Sequence, residues 1–325
     1  MPELLGKDFI PPDIRGKVTG AAKYAEDFRM DGLIYCRLLT SPMPHARVRN
    51  IDLTEALRMA GVVDVLTADE VPEQPGAATN ILTNEPHFVG EPILAVAAVD
   101  ETTAQNAIEA IRLDLEPLPF CVDPLESLRP GGPNAYLEGN TVVPRQGVQE
   151  LKWSAEDFEA AEEGQLPMGE PGAEWSYGDL EAGFSGTALT LDETFVTASH
   201  SHHSMEPRTA LAYWENGKCH VRGSTQSQSF VVPGLANYIG IEPENLVYVA
   251  EYCGGGFGSK GSAYPCMAIP AYMSKKTGRP VLMRISRAEE YFLGSARPGF
   301  QGRIKMGFQE DGRISAVGLY IVQES

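Results

Sequence analysis

The feature that most restricts this chain is Cys253-Gly254-Gly255-Gly256-Phe257-Gly258-Ser259-Lys260, a glycine triplet and a fourth glycine around one phenylalanine. It follows residues 246–250, an apolar stretch of strand character. Consecutive glycines admit left-handed backbone angles and leave no Cβ in the way. Successive N–H groups can then converge on an anion or an oxo ligand, as a nest does. Phe257 supplies a flat apolar surface beside them. Taken alone, the loop equally suits a tight turn that permits close packing. Two nucleotide readings fail on spacing. A phosphate-binding P-loop needs Ser or Thr after its Lys, and here Gly261 follows Lys260. A dinucleotide fingerprint needs Gly or Ala at position 259, which is Ser.

Two other segments carry candidate chemistry. Ser224-Thr225-Gln226-Ser227-Gln228-Ser229-Phe230 stands at a strand end before a helical pattern. A Gln amide offers uncharged donors and an acceptor, which suits a metal-bound oxygen, although an ordinary polar turn with capping serines has the same composition. Ser199-His200-Ser201-His202-His203-Ser204-Met205-Glu206-Pro207-Arg208 holds three histidines. In a strand His200 and His202 would share a face and His203 would point away, so a polar pocket wall containing Glu206 is favoured over a protein-ligated metal.

Composition narrows the classes. With 325 residues the chain can build two cores. Asp and Glu total 44 against 26 Lys and Arg, and a net charge of −18 repels a phosphate backbone, which argues against a nucleic-acid partner. The five cysteines include no CxxC pair, so a disulfide framework, a zinc cage and an iron–sulfur cage are not expected, and each cysteine reads as a small buried apolar residue. No apolar run nears the roughly 20 residues of a membrane span. The opening Met1-Pro2-Glu3-Leu4 has no signal-peptide character, which makes the cytoplasm the expected compartment.

Periodicity predicts an α+β fold. Strands are expected at 33–39, 62–66, 92–99 and 111–115. Short helices are expected over 54–59, N-capped by Thr54, and from 104, where Ala104, Ala107, Ile108 and Ile111 recur on one face. Residues 129–182, acidic and rich in Gly and Pro, read as a connection over the surface with one short helix at 155–161. This divides the chain into units at 1–128 and 183–325. In the second unit a strand is expected at 187–196. Strands 210–214 and 220–224 flank an Asn216-Gly217 hairpin turn. A helix over 230–239 must hold Pro233 in its first turn. A helix at 268–277 ends at Gly278, before a strand at 281–285.

In order, the segments form a pattern: Gly90-Glu91-Pro92-Ile93, Met205-Glu206-Pro207, Ser224-Thr225-Gln226, the glycine loop, Gly278-Arg279-Pro280-Val281, and Ser286-Arg287-Ala288-Glu289-Glu290. With the opening Asp13-Ile14-Arg15-Gly16-Lys17 and with Thr40-Ser41-Pro42 before His45-Ala46-Arg47, the chain resembles the molybdopterin-binding subunit of the xanthine dehydrogenase and aldehyde oxidase family. The resemblance implies an α/β hammerhead domain, then a mixed α/β molybdenum-cofactor-binding domain. Molybdenum would be held by a pterin dithiolene, the cytosine dinucleotide form being one option, with no direct protein ligand. Gln226 would hydrogen-bond an oxo ligand. Gly255, Gly256, Phe257 and Gly258 would approach the cofactor, and Glu206 and Phe257 would lie near the substrate.

The implied reaction is oxidation of an N-heterocycle or aldehyde with water as oxygen source. Electrons would pass to a [2Fe-2S] subunit and an FAD subunit. Family members that oxidise xanthine carry Glu where this chain has Gly261, which points away from xanthine. Relatives continue past the position of Ser325 into a second cofactor domain with the catalytic Glu. No catalytic residue is therefore assigned here, and a second molybdopterin-domain subunit is expected to supply it. Alternatives are a carbon monoxide dehydrogenase-like or benzoyl-CoA reductase-like subunit, or a non-catalytic scaffold or cofactor-insertion protein of the same fold.

Overall fold

A computed structural model describes residues 5–72, 80–132 and 152–323. The opening Met1 to Leu4, much of the expected connection, and the terminal Glu324 and Ser325 lie outside the described residues. The strands are β1 (Ile34–Thr40), β2 (Ala46–Asp52), β3 (Val62–Thr67), β4 (Pro92–Ala98), β5 (Arg112–Pro117), β6 (Leu189–Thr197), β7 (His200–Ser201), β8 (Thr209–Glu215), β9 (Lys218–Gly223), β10 (Leu246–Val249), β11 (Val281–Arg284), β12 (Ala296–Arg297), β13 (Phe300–Phe308) and β14 (Ile314–Gln323). Seven form one mixed sheet in the order β10-β9-β8-β11-β1-β4-β3. That sheet takes strands from both sides of the predicted connection, joined where β1 runs parallel to β11.

The centre of the sheet explains why residues 92–98 are apolar without alternation. Every residue of β4 is buried. Ala95 and Ala97 face the large core under helix Ile269–Thr277, whereas Leu94 and Val96 face a second core with Ala107 and Ile108 of helix Glu101–Ala110. A strand covered on both faces has no polar side to present. Two family-like motifs act as seams. Pro280 O accepts from Ile34 N at 2.9 Å, and Arg279 Nε donates to Gly32 O at 2.9 Å, tying β11 to β1. Gly90, at φ +95°, passes so close to Phe292 that a Cβ would overlap it.

Most expected elements form where periodicity puts them. The Asn216-Gly217 turn has both residues at positive φ, the type I′ geometry that matches strand twist. Other details differ. Thr54 is not the cap of helix Thr54–Arg58 but its first residue; Leu53 holds the N-cap position without a side-chain bond, and Asp52 Oδ1 accepts from Thr54 N at 2.9 Å. Helix Gln228–Ile239 starts earlier than expected, so Pro233 is interior. It is tolerated because both it and Ser229, whose carbonyl loses its helical partner, are exposed to water. Helix Ile269–Thr277 ends as expected at Gly278, which lies at φ +67°.

The sequence expectations do not include β2 or the β13–β14 hairpin. β2 carries Arg47 and Arg49, whose partners Glu85 and Glu116 come from the neighbouring loop and strand, so its polarity is balanced only in three dimensions. The expected surface connection is partly packed: Trp153 and Leu166 are buried with Val322 of β14, and Tyr320 Oη donates to Gly169 O at 2.8 Å. Among the cysteines, Cys36, Cys219 and Cys266 are buried as expected, and burial pushes each thiol up to about 12. Cys121 and Cys253 are only half-buried.

Leu94 is fully enclosed. Truncation to Leu94→Ala is expected to lower the unfolding free energy by about 2–5 kcal/mol, read from the denaturant midpoint.

Candidate cofactor loop and its support

Strand β10 pairs in parallel with β9 and delivers the chain to the glycine loop. The loop turns through three positive angles: Gly255 at φ +102°, Phe257 at +51° and Gly258 at +104°. Two of these need glycine, and the middle one makes Phe257 a non-glycine residue held in a conformation few side chains adopt. Phe257 is 69% exposed, so the strain serves to present its ring rather than to bury it.

Gln226 stands against the same loop. Its Oε1 accepts from Gly258 N at 3.0 Å, and its own N donates to Lys260 O at 3.1 Å. The first bond settles the amide orientation, because a backbone N–H can only be received by the carbonyl oxygen. The NH2 group is thereby left as the remaining donor of an exposed residue. A Cβ on Gly256 would overlap the Gln226 amide, so the close approach of loop and Gln226 requires glycine there. Gln226, Gly255, Gly256, Phe257 and Gly258, all selected from sequence, thus come together.

Glu206 is placed differently. It lies beneath the loop, buried, rather than on its open side. Its Oε2 accepts from Gly254 N at 2.6 Å and from Ser224 Oγ at 2.8 Å, and Oε1 receives Ala25 N at 3.4 Å. Lys260, 1% exposed, sets Nζ 3.5 Å from Glu206 Oε2 and donates to Glu206 O at 2.6 Å and Ser224 Oγ at 2.5 Å. Burial pulls the Lys260 ammonium below its usual range, against the opposing pull of Glu206. A Cβ on Gly254 would sit 2.5 Å from Glu206 Cβ, so the first glycine of the triplet makes room for this support.

A second buried ion pair holds the far end. Arg208 and Glu290 are paired and buried, Glu290 Oε2 also accepts from Arg208 N at 2.8 Å, and Arg208 Nη2 donates to Ser259 O. The guanidinium lies 3.9 Å from the Tyr264 ring centre. Glu290 is aimed by helix Arg287–Leu293, whose capping box joins Ser286 and Glu289. Lys260, Arg208, Ser224 and Glu290 are not among the residues picked from sequence as functional. The local signal was that each sits within or directly beside one of the ordered motifs.

The three histidines do not form a strand face. β7 ends at Ser201, and His203 is at φ +51° with its ring against Tyr291, 5.4 Å between centres. His202 pairs through Nδ1 with Ser295 O at 2.8 Å. Next to it Arg297 Nη2 donates to Phe257 O at 3.2 Å, adding a cation beside the loop. The open side therefore presents uncharged donors, one aromatic face and one guanidinium, a set suited to an anionic, partly apolar cofactor.

Removing Glu206 would strand the Lys260 charge. Glu206→Ala is expected to cost about 3–5 kcal/mol in unfolding free energy, measured by denaturant titration.

Comparison with known proteins agrees with this geometry. A family model described as the molybdopterin cofactor-binding domain matches residues 163–325, and one described as the aldehyde oxidase and xanthine dehydrogenase a/b hammerhead domain matches residues 19–119. The chain is 28% identical over 327 residues to a probable xanthine dehydrogenase subunit of Bacillus subtilis (strain 168), covering 97% of this chain and 40% of that protein. It is 28% identical over 325 residues to the nicotinate dehydrogenase large molybdopterin subunit of Eubacterium barkeri, covering 97% of this chain and 69% of that one. The crystal structure of a Cu,Mo-CO dehydrogenase has the same fold, with a TM-score of 0.75 at 21% identity over 97% of this chain and 40% of that one. The chain thus spans well under half of two of these three relatives. It belongs to the xanthine dehydrogenase and aldehyde oxidase family of molybdopterin-binding proteins, matching that family's hammerhead and first cofactor-binding domains.

Proposed function

We propose that this chain holds one face of a molybdenum–molybdopterin cofactor in an enzyme that oxidises an N-heterocycle or aldehyde. The observation that carries this reading is the bond from Gly258 N to Gln226 Oε1, which fixes the Gln226 amide against the loop at Gly256 and Gly258 and leaves its NH2 as the remaining donor. These residues fit the cofactor: the close approach at Gly256 excludes any side chain, and the backbone there offers uncharged polar groups. When bound, the cofactor supplies the two-electron redox chemistry, while the protein orients reactants and excludes competing reactions. Gln226 would donate to the cofactor without adding charge. Phe257 would stack along the substrate path, and Arg297 would draw an anionic group towards the loop. Glu206 would act as a positioning residue, since both of its carboxylate oxygens are engaged inside the protein.

A base is still required for proton removal near neutral pH. Glu206, the carboxylate that touches the loop, is unsuited because Lys260 and Gly254 hold it. The base would come from a second cofactor domain docked against this one. Support comes from the face of the three-stranded sheet β14-β13-β6, where Leu191, Phe195, Ile304, Met306, Leu319 and Ile321 line an apolar groove. Leu191, Phe195, Leu319 and Ile321 are exposed, and such a contiguous patch marks an interaction surface. Subunits with [2Fe-2S] and FAD would carry the electrons away. Gly261 in place of the Glu of xanthine-oxidising members favours a substrate other than xanthine.

Gln226→Ala is expected to slow turnover of the assembled enzyme by roughly a hundred-fold, the cost of one lost donor to a developing charge, with molybdenum content unchanged. Gly255→Val places a β-branched residue at φ +102° with its Cβ 3.1 Å from the Phe257 ring. Its molybdenum content by mass spectrometry should fall well below that of the natural protein, and an unchanged content overturns the loop assignment. This chain loaded with cofactor but lacking partners should not oxidise heterocycles or aldehydes; normal turnover would overturn the division of the site.

A further inference from the structure

Far along the sequence from the glycine loop, His45, Glu85 and His87 bring one ligand atom each to within 4.8 Å of one another. His45 opens into β2 and the other two belong to the loop running beside it, which is held by Ala46 N to Pro86 O at 3.1 Å and Val48 N to Asn84 O at 2.8 Å. Glu85 Oε1 lies 3.5 Å from His45 Nε2 and 3.9 Å from His87 Nε2. The two rings stack with centres 5.1 Å apart.

The surroundings select one nitrogen of His45 and set a carboxylate near the far nitrogen of His87. His45 Nδ1 lies 2.6 Å from Pro119 O, and a carbonyl can only accept, so the proton is on Nδ1. In the neutral ring the lone pair is then on Nε2. That atom is buried without a hydrogen-bond partner, and the side chain is only 8% exposed. His87 Nδ1 faces the Glu91 carboxylate at 3.6 Å, and Glu91 is itself buried and receives His87 N at 2.6 Å. His45 shows the pattern of metal-binding histidines, in which the nitrogen away from the metal is held by a carbonyl or a carboxylate, and Glu91 stands within reach of the same role for His87. Arg47 takes only the other oxygen of Glu85, Oε2, with Nε and Nη2 each at 2.9 Å, and it also approaches Glu116 at 3.8 Å. Oε1 is left for the histidines.

We propose that His45 Nε2, His87 Nε2 and Glu85 Oε1 bind one divalent transition-metal ion of the zinc class, separate from the molybdopterin site. Zinc takes imidazole and carboxylate ligands at about 2.0–2.2 Å in tetrahedral geometry, which sets neighbouring donors about 3.3 Å apart. The spacings from Glu85 Oε1 to the two rings, 3.5 and 3.9 Å, lie above this, and the three atoms are within 4.8 Å of one another, so binding draws the side chains inward onto the ion. The ion replaces the missing partner of His45 and clips the start of β2 to the 83–91 loop. It thereby fixes the approach to Gly90, which packs on Phe292 of helix Arg287–Leu293. A fourth position stays open for water.

The test adds Zn2+ to the chelator-treated full chain, with molybdenum counted separately. One equivalent should bind in calorimetry, and His45→Gln or His87→Gln should weaken it at least ten-fold. Glu91→Gln, which keeps all three ligands, should weaken it by about 10–100-fold. The X-ray absorption of the natural protein with Zn2+ should show nitrogen and oxygen neighbours, two of them imidazoles, and needs no variant to fold. Failure to bind one equivalent overturns the proposal and leaves a metal-free cluster of two histidines and a carboxylate in its place. Sulfur neighbours, or undiminished binding in the folded His45→Gln/His87→Gln double variant, overturn it as well.

Discussion

The buried contact among Glu206, Lys260 and Ser224 is the interaction on which the site depends. An ammonium and a carboxylate out of water are stable only when their remaining hydrogen-bonding capacity is met. Here that capacity is met by the loop itself: Glu206 receives Gly254 N, and Lys260 donates to the Glu206 carbonyl and Ser224. The charges therefore hold the backbone rather than reach a ligand. Because Lys260 O also receives Gln226 N and Thr225 Oγ1, the buried end of the loop positions its exposed end.

This arrangement accounts for the glycines one by one. Gly254 makes room for Glu206, Gly256 makes room for Gln226, and Gly255 and Gly258 supply the positive φ that turns the chain between them. Phe257 carries the strain of a positive φ on a residue with a side chain, and the two buried ion pairs on either side make that strain tolerable. The family motifs have matching structural roles. Gly-Arg-Pro-Val joins β11 to β1, and Ser-Arg-Ala-Glu-Glu caps a helix that delivers Glu290 to Arg208.

Much of the fold was legible because its signals are local. The Asn-Gly turn, the double-sided apolar run of β4 and the glycine end of helix Ile269–Thr277 each depend on a few adjacent residues. β2 was not legible, since its arginines look like a solvated stretch until Glu85 and Glu116 are set beside them. The reading of Glu206 shows the same limit. Sequence identified the residue as important, but a carboxylate looks the same facing a substrate or a buried lysine, and only burial separates the two.

The sequence by itself determined the glycine loop, the Gln226 partner, the absence of nucleotide-binding spacing and the family, because these reside in residue identity and order. Tertiary structure decided which groups meet across long separations. Arg208 and Glu290 stand 82 positions apart, and Lys260 and Ser224 stand 36 apart. His45 joins Glu85 and His87 only because the 83–91 loop is laid along β2. The physical reason is that buried charge is selected by pairing and desolvation, which are properties of the packed chain and leave no periodic trace along it. The glycines reveal where the backbone must approach something closely, and the fold alone shows what it approaches.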